Sequence, residues 1–412
     1  MGGHVLKNRS FSGKKSSTPG LSGFLDASIP KMRQSWKDKD YSLTLEIARG
    51  VTKYFPDYAE AWRLAHLAAI RLDDSGFVVE HLHLAGNDPE VLARIVRYLA
   101  TRDDHVWQAS ALLLRLEAAG YAEAVTPETR KRIFDRLMRL GLEALRFGDA
   151  TAAGRMLRCC VALDPASEEA RRYHAEGASA ALKRARLVKL SDDPEGYEAA
   201  WRCVLAYEPD HADALRRVAK AVDQRDGAGG SFEDWANCLR AAPQDESAFA
   251  HFARAARRAG RSVDALRLMR AIGLDVLRPE AEPLVREARR SARLAHKEGD
   301  PRAAATALSA LSAAGIPADE DANLVEATRR RLSRLLVAAR RGEGLDQIST
   351  LATLLLDLVP DDEVALLMLA QYAKLCRDRT RAAALYERLT HVAPNKPGYR
   401  ATLDRMRGLA AA

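Results

Sequence analysis

Aromatic side chains make up only 6% of this 412-residue chain, and no stretch is dense in valine, isoleucine and threonine. Sheets lean on those residue types, so a sheet protein is disfavoured and alanine and leucine must fill most of the interior. Cysteine is rare as well. There are five, Cys159, Cys160, Cys203, Cys238 and Cys376, an odd number without CxxC spacing. That argues against a disulfide framework and for reduced thiols in a cytoplasm. The vicinal Cys159–Cys160 pair falls in an apolar helical pattern, where cysteine acts as a small hydrophobe. Long apolar runs are missing. The longest, LATLLLDLV, is broken by Asp357 and is too short to span a bilayer. The opening MGGHVLKNRSFSGKKSSTPG carries charge but no apolar core of a secretion signal.

Catalytic signatures are lacking too. SGKKSS has the lysine and serine of a phosphate loop but not its upstream glycine, and no strand precedes it. RDGAGGSF, with Gly227, Gly229 and Gly230, sits between two helical patterns and reads as a flexible connector. His81 and His83 lie two apart, so a helix would point them to different sides. There is no HExxH and no zinc spacing. Carboxylates are scattered over polar helix positions. The expectation is a protein that is not an enzyme, with no catalytic residues, no metal and no cofactor.

The net charge is +8, but residues 1–40 hold eight Lys/Arg against three Asp/Glu, so the remaining 372 residues are near neutral. The pI near 9.2 is therefore weak evidence for nucleic acid. Residues 1–28, rich in Ser, Gly and Lys, are expected to be a disordered basic tail. Arginine greatly outnumbers lysine, a bias that GC-rich bacterial coding would produce.

What the chain does have is a period. Prolines at 209 and 243, and again at 360 and 394, stand about 34 residues apart, each closing an apolar helical stretch. Between them the pattern is helix, short break, helix. In 363–396, Leu366, Leu369, Ala370 and Ala373 share one face, Arg377-Asp378 makes the break, and Ala382, Tyr386 and Leu389 share a second face. The best units are 134–167, 212–245, 246–279 and 363–396. Weaker copies fill 29–133 and 285–362, where Asp300 reads as a helix cap and Pro301 as the first helical residue. Between Pro165 and Pro209 the period stretches to 44, which calls for a longer helix or an inserted turn. Trp62, Trp201 and Trp235 fall at core places of their units. The segment 398–409 reads as a helix covering the last hairpin.

LGLEALRFGDATAAGRMLRCCVALDP and LAQYAKLCRDRTRAAALYERLTHVAP resemble the tetratricopeptide repeat, and the resemblance covers roughly nine or ten hairpins over about 29–411. It implies an all-α, right-handed solenoid of stacked antiparallel helix hairpins. It also implies a non-catalytic scaffold or adaptor, bacterial and cytoplasmic. Its concave groove would hold an acidic peptide segment or a helix of another protein. In such arrays the first helix of each hairpin lines the groove. This places Arg254, Arg257 and Arg258, then Arg286, Arg289, Arg293 and Lys297, then Arg330, Arg340 and Arg341 on that face, and Met138, Leu142 and Leu145 on it nearer the N-terminus. The groove is thus expected to be apolar, then cationic. Arg286 and Arg290 stand where carboxylate-clamp repeats hold a peptide terminus, but the clamp asparagines are missing, so only the idea of an acidic ligand carries over. Two alternatives stay open: nucleic-acid binding by the same arginines, disfavoured because no aromatics interleave with them for base stacking, and an accessory role beside a bacterial glycosyltransferase or envelope-polysaccharide system. Self-association is left open.

Overall fold

The structure, a computed structural model, describes residues 21–86, 88–276, 278–316, 321–339 and 345–410. Their regular structure is helical throughout. In order come α1 (Leu21–Lys37), α2 (Tyr41–Tyr54), α3 (Ala59–Arg71), α4 (Ser75–Glu80), α5 (Pro89–Leu99), α6 (Val106–Ala118) and α7 (Pro127–Arg146). Then follow α8 (Ala150–Leu163), α9 (Glu168–Leu187), α10 (Pro194–Tyr207), α11 (Ala212–Gly230), α12 (Phe232–Ala241), α13 (Glu246–Arg258) and α14 (Ser262–Ala271). The last are α15 (Glu282–Glu298), α16 (Pro301–Ala313), α17 (Ala322–Ala338), α18 (Leu345–Leu358), α19 (Glu363–Leu375), α20 (Arg379–Val392) and α21 (Pro397–Ala410). Through most of the chain each helix packs on the next and on the next but one, as α15 does on α16 and α17. That is the packing of a tetratricopeptide-like stack, in which no hairpin buries its apolar face alone.

The turn inside a hairpin repeats one device. A residue in the left-handed region is followed by an aspartate whose carboxylate accepts from a backbone N–H of the second helix. Gly299 (φ 84°) precedes Asp300, which accepts from Arg302 and Ala303. Lys39, Asp73 and Arg377 take the same conformation without being glycine, ahead of Asp40, Asp74 and Asp378. Each costs about 1–2 kcal/mol of backbone strain, offset by a cap of about 1 kcal/mol.

Leu366, Leu369, Ala370 and Ala373 of α19 bury against Ala382, Tyr386 and Leu389 of α20, as the spacing requires. Trp201 and Trp235 are fully buried; Trp62 is half-buried, its Nε1 donating to the Pro56 carbonyl at 2.8 Å and its ring stacked near His81. Cys160 and Cys238 are buried, and burial pushes both thiols up to about 12, so they are inert packing groups.

The structure corrects or sharpens the sequence reading in four places. First, α1 begins at Leu21, inside the segment expected as a tail, because Leu25, Ile29 and Met32 supply a buried face; residues 1–20 lie outside the described residues. Second, α7 starts at Pro127, seven residues before the unit at 134, with Thr126 as its cap. Third, RDGAGGSF does join two helices, but the break within it is confined to one residue. The backbone is helical up to Gly230 except at Gly227, whose φ of 75° and ψ of 172° make a kink. Fourth, the stretched period is a longer helix: α9 has 20 residues. Tyr207 of α10 inserts beside it. A Cβ added at Gly177 would stand 2.6 Å from that ring and one at Gly154 2.7 Å, so neither position accepts a side chain without overpacking.

Arginine joins consecutive hairpins. Arg329 Nε donates to Asp362 at 2.7 Å, 33 residues on, and Asp362 also caps α19. Arg130 donates to the Leu163 carbonyl, Arg136 to the Ala100 carbonyl and Arg331 to the His296 carbonyl, at 2.6–2.7 Å and separations of 33, 36 and 35 residues. The repeat period reappears as the sequence distance of these bonds. A guanidinium suits the task, since its long stem lies on apolar surface while its five donors reach a neighbouring loop.

Candidate functional site, the cationic helix faces

The first helices of successive hairpins, α13, α15 and α17, stack side by side. Arg254, Arg257 and Arg258 of α13 are exposed. Ala248, Phe249, Phe252, Ala253, Ala255 and Ala256 face the interior, which leaves the arginines the opposite side of the same helix. No carboxylate lies within 4 Å of any of the three among the described residues. Arg254 is near enough to act on His251. Burial first, and the Arg254 charge second, hold that imidazole below its ordinary range, and its ring stacks on Trp235 at 4.4 Å.

The cations of α15 and α17 are placed differently. Arg286 pairs with Glu282 at 3.5 Å and Arg330 with Glu326 at 2.7 Å, each one helical turn back. Arg289 and Arg293 both reach Asp321, at 3.0 and 3.3 Å. The Asp321 side chain is only 5% exposed, against 20% for Arg289 and 62% for Arg293. Asp321 stands at the start of α17, so the pair of arginines fastens one hairpin to the next. A buried carboxylate needs such partners. Lys297 is exposed and without an acidic partner among the described residues. Arg340 and Arg341 lie outside the described residues.

The structure therefore brings the expected cations onto neighbouring helices but splits them by role. Arg254, Arg257, Arg258 and Lys297 present unneutralised charge. Arg286 and Arg330 are half-neutralised, and Arg289 and Arg293 are structural. Asp321 was invisible to spacing rules, because it sits outside the helix it neutralises.

On the N-terminal side, Met138 is buried and Leu142 and Leu145 are half-buried against the core. The exposed apolar residues there are others: Phe147 (87%) after α7 and Leu187 (82%) at the end of α9. Between those two segments lies a cleft of about 450 Å³ floored by Gly177, Ala180, Ala181, Ala199 and Ala200 and by Tyr207. The cleft lies where the period stretches, beside the 20-residue α9, and that stretch was its sequence signal.

Among the described residues no three His, Cys, Asp or Glu side chains converge as a metal set would, and no helix is long and apolar enough to cross a membrane. No protein-family profile and no curated protein matches the chain. Among solved structures, the chain is similar to the TPR domain of P58(IPK) at 14% identity, covering 94% of this chain and 98% of that one, with a TM-score of 0.22. It is similar to yeast Tom70 at 13% identity over 94% and 96%, with a TM-score of 0.21. It is also similar to Cut9 in the Cut9–Hcn1 assembly of the APC/C, at 12% over 94% and 97%, with a TM-score of 0.21.

Proposed function

We propose that this chain is a non-catalytic scaffold that holds an acidic, extended segment of another protein along the exposed faces of α13 and α15. The observation that carries this reading is the row Arg254, Arg257 and Arg258, with Lys297 on the neighbouring helix: exposed cations with no acid among the described residues within 4 Å to neutralise them. Like charges on neighbouring helical turns repel by a few tenths of a kcal/mol per pair. Elsewhere the chain relieves that repulsion with a glutamate one turn away, as at Arg286 and Arg330. On α13 it does not. The cytoplasm, where cysteines stay reduced, is the compartment proposed with it.

The test is direct binding of a fluorescently labelled oligoglutamate peptide, with a single-stranded RNA of equal charge as competitor. Binding of the peptide, lost in Arg254→Glu/Arg257→Glu, supports the reading. Preference for the RNA would replace it with nucleic-acid binding. No binding of either would leave the row a solvated face.

A further inference from the structure

Among the described residues, side-chain bonds between hairpins span about one repeat, except at one place. Ser349 Oγ of α18 donates to Asp57 Oδ2 at 2.8 Å, across 292 residues. Asp57 lies in the connection between α2 and α3. Arg381 of α20 stands 3.7 Å from the same carboxylate, and Arg377, in the turn before α20, stands 3.8 Å from Asp26 of α1. Helix α18 packs on α2. Tyr372 of α19 is fully buried, with its hydroxyl against Asp57 and Cys376. A stack that turns a little at each step has here come round to its own start.

The closure is thin. Its ion pairs are long and partly exposed, the kind worth about 0–1 kcal/mol each and screened by salt. Beside it opens a cleft of about 420 Å³ lined by Lys374, Arg377, Arg379 and Arg405, with Thr402 and Met406. Lys374, Arg379 and Arg405 have no carboxylate within 4 Å among the described residues, and Arg377 has only Asp26. Guanidinium groups facing one cleft suit a compact oxyanion carrying more than one charge, which they bind through paired N–H donors.

We infer that the junction is an anion-operated clasp. Asp26 and Asp57 serve as an internal acidic ligand for the C-terminal cations, and a phosphate-type group entering the Lys374–Arg405 cleft takes Arg377 from Asp26 and opens the ring. This stands apart from the α13 face, and either can fail alone.

The experiment is small-angle scattering on the full chain, with pyrophosphate titrated against sodium chloride of equal ionic strength. Pyrophosphate should raise the radius of gyration where chloride does not. Asp26→Arg/Asp57→Arg should be expanded from the start and insensitive to pyrophosphate. Arg379→Ala/Arg405→Ala should stay closed and lose the response. A phosphoserine peptide in place of pyrophosphate separates a phosphorylated partner from a free phosphate ligand, by which of the two acts at lower concentration. Should the charge reversal cost helicity, Ser349→Ala/Arg381→Ala tests the same seam without placing new charge in it. A radius unchanged in the seam variants, no response to either phosphate probe beyond that to chloride, or a doubled mass by light scattering showing the contact to be between two copies, would each overturn the clasp.

Discussion

Helices α13 and α15 carry nearly the same cationic pattern and differ in what neutralises it. On α13, Arg254, Arg257 and Arg258 face solvent with no acid among the described residues beside them. On α15, Arg289 and Arg293 close on the buried Asp321 of the next hairpin, and Arg286 shares charge with Glu282. Whether an arginine stays exposed or fastens two hairpins is set by whether a neighbouring hairpin offers it a carboxylate. Periodicity alone does not carry that information.

The largest effect should come from removing the fastener. Arg289→Ala/Arg293→Ala leaves Asp321 buried without its cations. A fully buried pair so broken costs about 3–5 kcal/mol, and the exposure of Arg293 brings the expectation to about 2 kcal/mol. The matched Arg254→Ala/Arg257→Ala variant should change stability by no more than about 0.5 kcal/mol. Calorimetric melting of both variants decides it, and equal shifts would erase the contrast between the helices.

Ligand binding should show the reverse order. Arg254→Glu/Arg257→Glu is expected to weaken oligoglutamate binding by about tenfold or more, roughly 1.4 kcal/mol. Arg286→Glu should do less, because Glu282 already offsets that charge. A fluorescence anisotropy titration reads both, and a stronger loss at Arg286 would move the binding face to α15.

Salt sharpens the same contrast. Raising ionic strength from about 0.05 to 0.3 M shortens the screening length below about 6 Å. Peptide affinity at the exposed α13 row should fall, while the stability difference owed to Asp321 should persist, since buried pairs are screened less. Affinity indifferent to salt would mean that contacts other than charge hold the peptide.

The smallest effect is local. Arg254 helps to hold His251 below its ordinary pKa, after burial, whereas on α15 it is Arg331 of the next hairpin that depresses His296, again after burial. Arg254→Glu should therefore raise the His251 titration and leave His296 where it was, by NMR of the imidazole protons. With His251 depressed in the folded state, the unfolded chain takes up its proton first. Stability from this group is then lost as pH falls through the ordinary histidine value near 6.5 toward the folded value. The variant should lose less on that descent than the unmodified chain.

Much of the architecture was legible because its causes are local. Asp300-Pro301, Arg377-Asp378 and the alanine-leucine faces of α19 and α20 announce a cap, a turn and a buried stripe within a dozen residues. The start of α1 was missed because three apolar residues in a Ser-, Gly- and Lys-rich segment are too few to show a period. RDGAGGSF was half legible: the break between two helices falls at Gly227, where a φ of 75° suits glycine, but spacing gave no sign that the backbone turns helical again up to Gly230. The candidate face was half legible. Spacing put Arg254, Arg257, Arg258, Arg286, Arg289 and Arg293 on the first helices of their hairpins, but gave no sign of Asp321, 28 residues from Arg293.

By itself, then, the order of residues determined the helices, their caps and the 34-residue step, since each depends on neighbours within one or two turns. Only the tertiary structure decided which arginines stay free, where a cleft opens beside the lengthened α9, and that Asp57 meets Ser349 and Arg381. Those outcomes depend on how much each hairpin rotates on the last. That rotation is the sum of many small packing contacts, and over the length of the array it brings together residues nearly 300 positions apart.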